Sequence, residues 1–465
     1  MSYPSINVHL SNSRVLGGLF GSRRMQEIFS DVAMVRSWMD AEVALAVAQA
    51  EVGVIPATAG EEIAEAAAQV DLDLDAMGAE VLRTAHPLVP VIRALSALAG
   101  ESGAYVHLGA TTQDITDTGL AIQVRDGYAL IETMLRDLID ELSSLATEYR
   151  DVPMVGRTHA QHALPITLGL KFSVLLAECE RHLERLRDAR HRILVGQLGG
   201  AVGSMAALGP DALEIQDRMM GLLELETPIG PWHTARDGLT EITCILAMIS
   251  ASCGKIANEI RVLQRTEVAE LEEPFSEGKV GSSTMPHKRN PMFAEFIISN
   301  AILAREKPAA MLAAMVQEHE RDMSMWGVEW TVVPESFELC AGLLERSLFL
   351  LRGLIVHRDN LRRNLHQLGD LMLSEVAMMA LARDLGKGEA HEVVYRASML
   401  AWDTGTPLIE LLLKDERVRG SSVDAAELES LMVPEKYIGL SGTLVDRAVE
   451  FTALRVRAER SADND

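Results

Sequence analysis

From Phe172 onward, apolar residues return at Leu176, Cys179, Leu183 and Leu186, in alternating steps of four and three. Between them Glu178, Glu180, Arg181, Glu184, Arg185, Arg187 and Asp188 charge the other face, the 3.6-residue pattern of an amphipathic helix. Similar periodicity predicts long helices over 119–149, 239–267, 292–318 and 335–356. Helices of that length, four or five of them, predict an elongated bundle. The flanks are choppier. Gly53, Pro56, Gly60, Gly78 and Pro87 break shorter patterns in the N-terminal part, and beyond residue 363 short helices alternate with turns at 403–405 and 420–422. The expected fold is all-α, in three parts: an N-terminal helical domain (1–110), a central helical bundle (111–362) and a C-terminal helical domain (363–465).

Composition sharpens this. Aromatic residues make up only 4%, while good helix formers dominate, so extended sheets are not expected. With 67 acidic against 43 basic side chains the net charge is −24, which repels phosphate backbones and argues against nucleic acid as a partner. An anionic small molecule stays possible, because a local basic pocket can sit inside a negative envelope. Cys179, Cys244, Cys253 and Cys340 are widely spaced with no CxxC pair, the usage of reduced thiols in a cytoplasmic protein. No run of eighteen apolar residues lacks a charge, and the N-terminus lacks an apolar signal core, so no membrane partner is expected.

Three polar stretches depart from the packing pattern. Gly109–Thr118 (GATTQDITDT) sets hydroxyls and carboxylates directly before a long helix. A helix cap would account for part of it, and free N–H groups at such an end also attract carboxylates. Val155–Pro165 (VGRTHAQHALP) crowds Arg157, His159 and His162 into a predicted loop. A metal site is disfavoured, since neither HExxH nor a third nearby ligand is present; an acid/base histidine beside an anion-binding arginine fits better. Gly278–Pro291 (GKVGSSTMPHKRNP) reads as a mobile loop, with Lys288 and Arg289 adding positive charge at its exit. It is not a phosphate-binding loop, because GxxxxGK(S/T) is absent, and Gly199–Gly203 is a turn rather than GxGxxG. No cofactor motif is found.

Together these stretches suit proton abstraction beside a carboxylate, with the enediolate held by N–H groups, a lysine and an asparagine. A helix over 119–149 would be on the order of 45 Å long at 1.5 Å per residue, placing the first two stretches at opposite ends of the bundle. Only antiparallel packing of several chains would then bring them together, which predicts an oligomer with sites between subunits.

GSSTMPHKRNP at 281–291, supported by GATTQDITDT and GRTHAQHALP, resembles the signature loop of the fumarase/aspartase superfamily, and the likeness covers essentially the whole chain. The nearest branch resembles the 3-carboxy-cis,cis-muconate cycloisomerases and adenylosuccinate lyases. The resemblance implies a homotetramer with a twenty-helix core and composite sites, acting without cofactor or metal on a small dicarboxylate. It implies anti elimination from a substituted succinate to give fumarate. By the same resemblance Ser282 is the general base, His159 the acid at the leaving group, and Lys288 and Asn290 ligands of carboxylate and enediolate. Thr158, Gln161, Ser283 and Met285 accompany them. Thr111, Thr112 and Gln113 match the carboxylate-binding stretch, His86 a second active-site histidine, and Arg321 lies in a further matching segment, 317–322.

Departures narrow the choice. Trp326 and Trp330 stand where adenylosuccinate lyases hold a nucleotide phosphate, and an indole cannot grip phosphate as a guanidinium does. Those tryptophans, with residues 25–31 and 231–234, resemble the cycloisomerases, whose bacterial members carry tryptophan where this chain has His159. A cycloisomerase expels no poor leaving group and needs no acid for one. Retention of His159 therefore favours elimination, with an amine, ammonia, nitrite or water departing; a cycloisomerase or related isomerase is the alternative. An inactive scaffold would have degraded motifs, and all three are intact.

Overall fold

The computed structural model describes Leu10, residues 13–275, Gly278, residues 281–282 and residues 284–462. Its principal elements are α1 (Asp31–Val52), α2 (Thr112–Glu148), β1 (Pro153–Thr158), β2 (Gln161–Thr167), α3 (Leu168–Ile193) and α4 (Asp237–Leu263). There follow β3 (Leu271–Glu272), α5 (Met292–Ala314), α6 (Trp326–Arg352), β4 (Ile355–Val356), α7 (Ser374–Thr404) and α8 (Ser441–Ala462). The fold is all-α, as the sequence predicts. Among the described residues the strands form two small antiparallel pairs, β1–β2 and β3–β4.

The seam read on α3 is the one that is buried: Phe172, Leu176, Cys179, Leu183 and Leu186 are all at most 2% exposed. Two helices start earlier than their patterns suggest. α2 begins at Thr112 rather than 119, and α6 at Trp326 rather than 335, running through Pro334. Proline lacks an N–H and favours a first turn, so the sequence places the helix start after it. In α6 the buried Arg236–Glu329 ion pair lies within the first turn, ahead of Pro334.

The chain divides into two compact units. One comprises residues up to Arg136, 181–255 and 296–347; the other comprises 137–180, 256–295 and the chain from Leu348 onward. In the first, Tyr128 is buried with its hydroxyl on the Leu186 carbonyl, and Phe29 packs on Phe337 at 5.4 Å between ring centres. Ser22 and Gln26 hold Glu345 and Glu338 at 2.6 and 2.7 Å. In the second, α7 bends at Gly386 (φ 74°, ψ 161°), and Ala377, Leu381, Val393, Leu408, Leu412 and Leu428 form its core. Arg455 of α8 donates to buried Glu180 at 2.8 Å, and Arg150 grips Asp446 through two bonds of 2.7 and 2.6 Å.

By length and composition one helix among the described residues, α4, could cross a membrane, with mean hydropathy 1.4 over its best window. Two observations identify it as a core helix: 67% of that window is buried, and Ile242, Ile245, Leu246, Ile249 and Ile256 are each at most 4% exposed.

Candidate active site

In the first unit the polar stretch before α2 is built around Asp114. The Thr111 N–H donates to Asp114 Oδ2 at 2.9 Å and the Asp114 N–H to the Thr111 carbonyl at 2.9 Å, a reciprocal helix cap. The same fully buried carboxylate accepts the N–H groups of Gly199 at 2.8 Å and Gly200 at 2.9 Å, and His233 Nε2 lies 2.8 Å from Oδ1. Four donors therefore converge on one side chain. The turn at 199–203 must pass close to do this: Gly200 and Gly203 have φ of 71° and 82°, and a β-carbon on Gly199 would lie 2.9 Å from His233 Cε1.

This frame brings several expected site residues together. Arg321 donates through Nη1 to Thr111 Oγ1 at 2.5 Å and through Nη2 to the Ala201 carbonyl. Thr112 Oγ1 lies 3.2 Å from His86 Nε2, while His86 Nδ1 is buried with no hydrogen-bond partner. Gln113 is placed differently. It is fully buried, donates its amide to the His233 carbonyl at 2.9 Å, and leaves Oε1 without a partner.

A second buried cluster joins the helix starts. Arg236, 1% exposed, donates to Asp117 at 2.8 and 3.0 Å and to Glu329 at 2.7 and 2.6 Å, with its guanidinium 4.7 Å from the Trp232 ring centre. Burial pushes the Glu329 carboxyl above its ordinary range, and the Arg236 cation only partly opposes this. Gln317 adds a bond to Glu329 at 3.3 Å. Trp326 and Trp330 pack at 5.4 Å beside the same turn, and the buried Trp326 Nε1 has no partner.

In the second unit the stretch expected as a loop is a β-hairpin. β1 and β2 pair as far as Thr158 opposite Gln161, so His159–Ala160 is a two-residue turn, with φ of 50° and 63°. Primed turns of this kind normally use Asn-Gly, and left-handed backbone costs other residues about 1–2 kcal/mol each. Thr158, His159 and Gln161 are exposed at the tip. Arg157, expected to bind an anion, is already paired: it grips the buried Glu270 carboxylate at 2.9 and 2.6 Å, and Asn364 adds a bond at 2.9 Å. Burial, and then the Arg157 charge, hold His162 below the usual histidine value, so it is neutral at pH 7.

The signature loop is drawn in at its base. A β-carbon on Gly281 would lie 2.3 Å from the Lys288 carbonyl oxygen, so only glycine permits this approach. Ser282 Oγ accepts the N–H groups of Met285 at 3.1 Å and Thr284 at 3.4 Å. Met285 and Lys288 are exposed, Asn290 is half-buried, and Ser283 lies outside the described residues. Arg289 is paired with Glu272 at 2.9 Å, so of the two adjacent cations at the loop exit one is already engaged. Beyond it Glu273 caps α5 by accepting the Phe293 and Ala294 N–H groups at 3.4 and 3.1 Å.

Two family models match the chain, one described as Lyase over residues 21–304 and one as Adenylosuccinate lyase C-terminus over 370–448. The chain belongs to the fumarase/aspartase superfamily of lyases. It is 38% identical over 441 residues to N-acetyl-S-(2-succino)cysteine lyase of Enterococcus italicus, covering 95% of this chain and 97% of that one. It is 40% identical over 442 residues to 3-carboxy-cis,cis-muconate cycloisomerase of Pseudomonas aeruginosa, covering 94% and 96%. The crystal structure of a fumarate lyase from Mesorhizobium sp. BNC1 superposes with a TM-score of 0.87 at 38% identity, covering 93% of this chain and 98% of that one. The protein is thus a superfamily enzyme of the lyase type.

The partners that hold these candidate residues are not visible in the sequence. His233 lies inside a recognisable pattern, Pro231–Thr234, but nothing in that spacing signals contact with Asp114. Arg236, Glu270 and Glu272 look like ordinary surface charges; the available hint is that Glu270–Glu273 places three acids around one leucine beside a loop.

Proposed function

We propose that this enzyme eliminates HX from a substituted succinate, X–CH(COO⁻)–CH₂–COO⁻, to give fumarate. The observation that carries the reading is the Ser282 hydroxyl, which takes two backbone N–H groups on the oxygen where alkoxide charge would form. Ser282 removes the proton from the methylene carbon, and the electrons form the enediolate of its carboxylate, held by Lys288 and Asn290. Collapse of that enediolate forms the C=C bond and breaks C–X; His159 gives X its proton. Thr111, Thr112, Arg321 and His86 hold the second carboxylate, with Thr158, Gln161, Ser283 and Met285 lining the substrate and buried Gln113 tying that stretch to the His233 carbonyl. A homotetramer supplies these groups from different subunits, an inference that rests on the helix-length argument and the family resemblance. The three-part division at 110/111 and 362/363 belongs to the same proposal, as does a cytoplasmic setting, supported by four cysteines held as thiols rather than disulfides.

The leaving group is compact. The buried Trp326 and its neighbour Trp330 offer no grip for a phosphate. The name of the Enterococcus italicus relative adds a thiolate to amine, ammonia, nitrite and water as candidates. A cycloisomerase is the second reading, favoured by the tryptophan pair and the Pseudomonas aeruginosa relative.

The deciding experiment is a screen of substituted succinates, S-succinyl thioethers and aspartate included, for fumarate absorbance, run beside loss of carboxymuconate absorbance. Fumarate release from at least one succinate is expected; turnover of carboxymuconate alone would establish the second reading. In the same screen His159→Ala is expected to slow amine or alkoxide departure about 100- to 1000-fold and nitrite or thiolate departure far less. Equal losses would remove the acid role.

A further inference from the structure

Lys288 and Asn290 flank Arg289, and a loop that delivers two substrate ligands needs one point that does not move. Arg289 is held at three places. Its guanidinium donates to Glu272 Oε1 at 2.9 Å and lies 4.3 Å from the Phe275 ring centre, and its carbonyl accepts Gln264 Nε2 at 3.1 Å. Each support is itself secured. Glu272 sits on β3 in register with Ile355 of β4, and its other oxygen lies 3.0 Å from His357 Nε2. Gln264 Oε1 accepts the Glu273 N–H at 2.9 Å, and Glu273 caps α5. Lys288, one residue earlier, is exposed.

We propose that Arg289 is a positioning residue, not a substrate ligand: anchored on Glu272, it sets the backbone from which Lys288 and Asn290 reach the enediolate. The inference rests on the elimination reading for the roles of those two neighbours. An ion pair whose arginine is half exposed contributes little to stability, so its effect is on placement. Displacement of reacting groups by about 1 Å can cost on the order of 100-fold in rate.

Glu272→Gln separates positioning from direct binding. If Arg289 positions, Arg289→Gln and Glu272→Gln each lower kcat about 10- to 100-fold, with KM changed less than about threefold and the thermal midpoint nearly unmoved. The double variant is then no worse than the poorer single, and Arg289→Lys recovers most of kcat. If Arg289 binds substrate, Arg289→Gln raises KM, while Glu272→Gln, which frees the guanidinium, leaves kcat intact; that result, or additive losses, overturns the proposal. Hydrogen exchange of the amides at 288–290 and 292 reads the anchor without any substrate. Faster exchange in both singles is expected, and unchanged exchange overturns the anchor whatever the activity. Faster exchange in a protein that releases no fumarate from any succinate would instead overturn the elimination reading and the role given to Lys288 and Asn290.

Discussion

Ser282→Ala is expected to lower kcat by about three orders of magnitude or more, in line with general-base contributions of about 10²- to 10⁴-fold, with the protein still folded. The local cost of the change is small. The hydroxyl accepts two N–H groups within its own turn, from Thr284 and Met285, and the half-buried side chain supports no other element. On the proposed mechanism the chemical cost is large, because the variant removes the oxygen on which two N–H groups would stabilise the alkoxide. Since the base acts only as C–H cleavage begins, kcat falls and KM moves little. Steady-state kinetics on the best succinate, with thermal unfolding as control, check this. Turnover within tenfold of the parent, or a collapsed thermal midpoint, would sink the assignment.

Asp114→Ala is expected to cost about 3–5 kcal/mol of stability, because it orphans buried donors at about 1–3 kcal/mol each and the losses do not simply add. Thr111, Gly199 and Gly200 lose the acceptor of their N–H groups, and His233 loses the carboxylate at 2.8 Å. No water can replace it easily, since Asp114 is 0% exposed. Asp114→Asn keeps one carbonyl oxygen but turns an NH₂ toward donors, so it is expected to lose an intermediate amount. Urea unfolding measures both. A loss below about 1 kcal/mol for the alanine variant would mean that the four contacts do not hold this turn. The Thr111–Arg321 contact shares the cap, so weaker fumarate binding by the alanine variant is expected alongside the stability loss.

The signature loop and the carboxylate stretch are legible in the sequence because their chemistry is local. Hydroxyls, a lysine and an asparagine punctuated by Gly and Pro have no place in a helix seam, so they stand out at 109–118 and 281–291. The hairpin is not legible. Val155–Pro165 lacks the Asn-Gly turn that usually announces one, and the strained His159–Ala160 turn is tolerated only because the paired strands hold it. The start of α6 is hidden for a related reason: Pro334 carries a strong local signal, whereas the Arg236–Glu329 pair in the helix's first turn joins residues 93 positions apart.

Charge is the hardest feature to read along the chain. Arg157 and Arg289 are cations in the candidate stretches; the sequence assigns Arg157 to an anion and reads Arg289 only as positive charge at the loop exit. In the folded chain Glu270 and Glu272 engage them, whereas the neighbouring Lys288 is exposed. By itself the sequence determined the all-α class and the long helices with their buried seams, and it singled out the candidate polar stretches, since periodicity and residue chemistry act over a few positions. Only the tertiary structure decided which charges are already spent and which buried polar groups converge on Asp114 and Arg236. Such pairings depend on distance in space and exclusion of water, and neither is written in the spacing of residues along a chain.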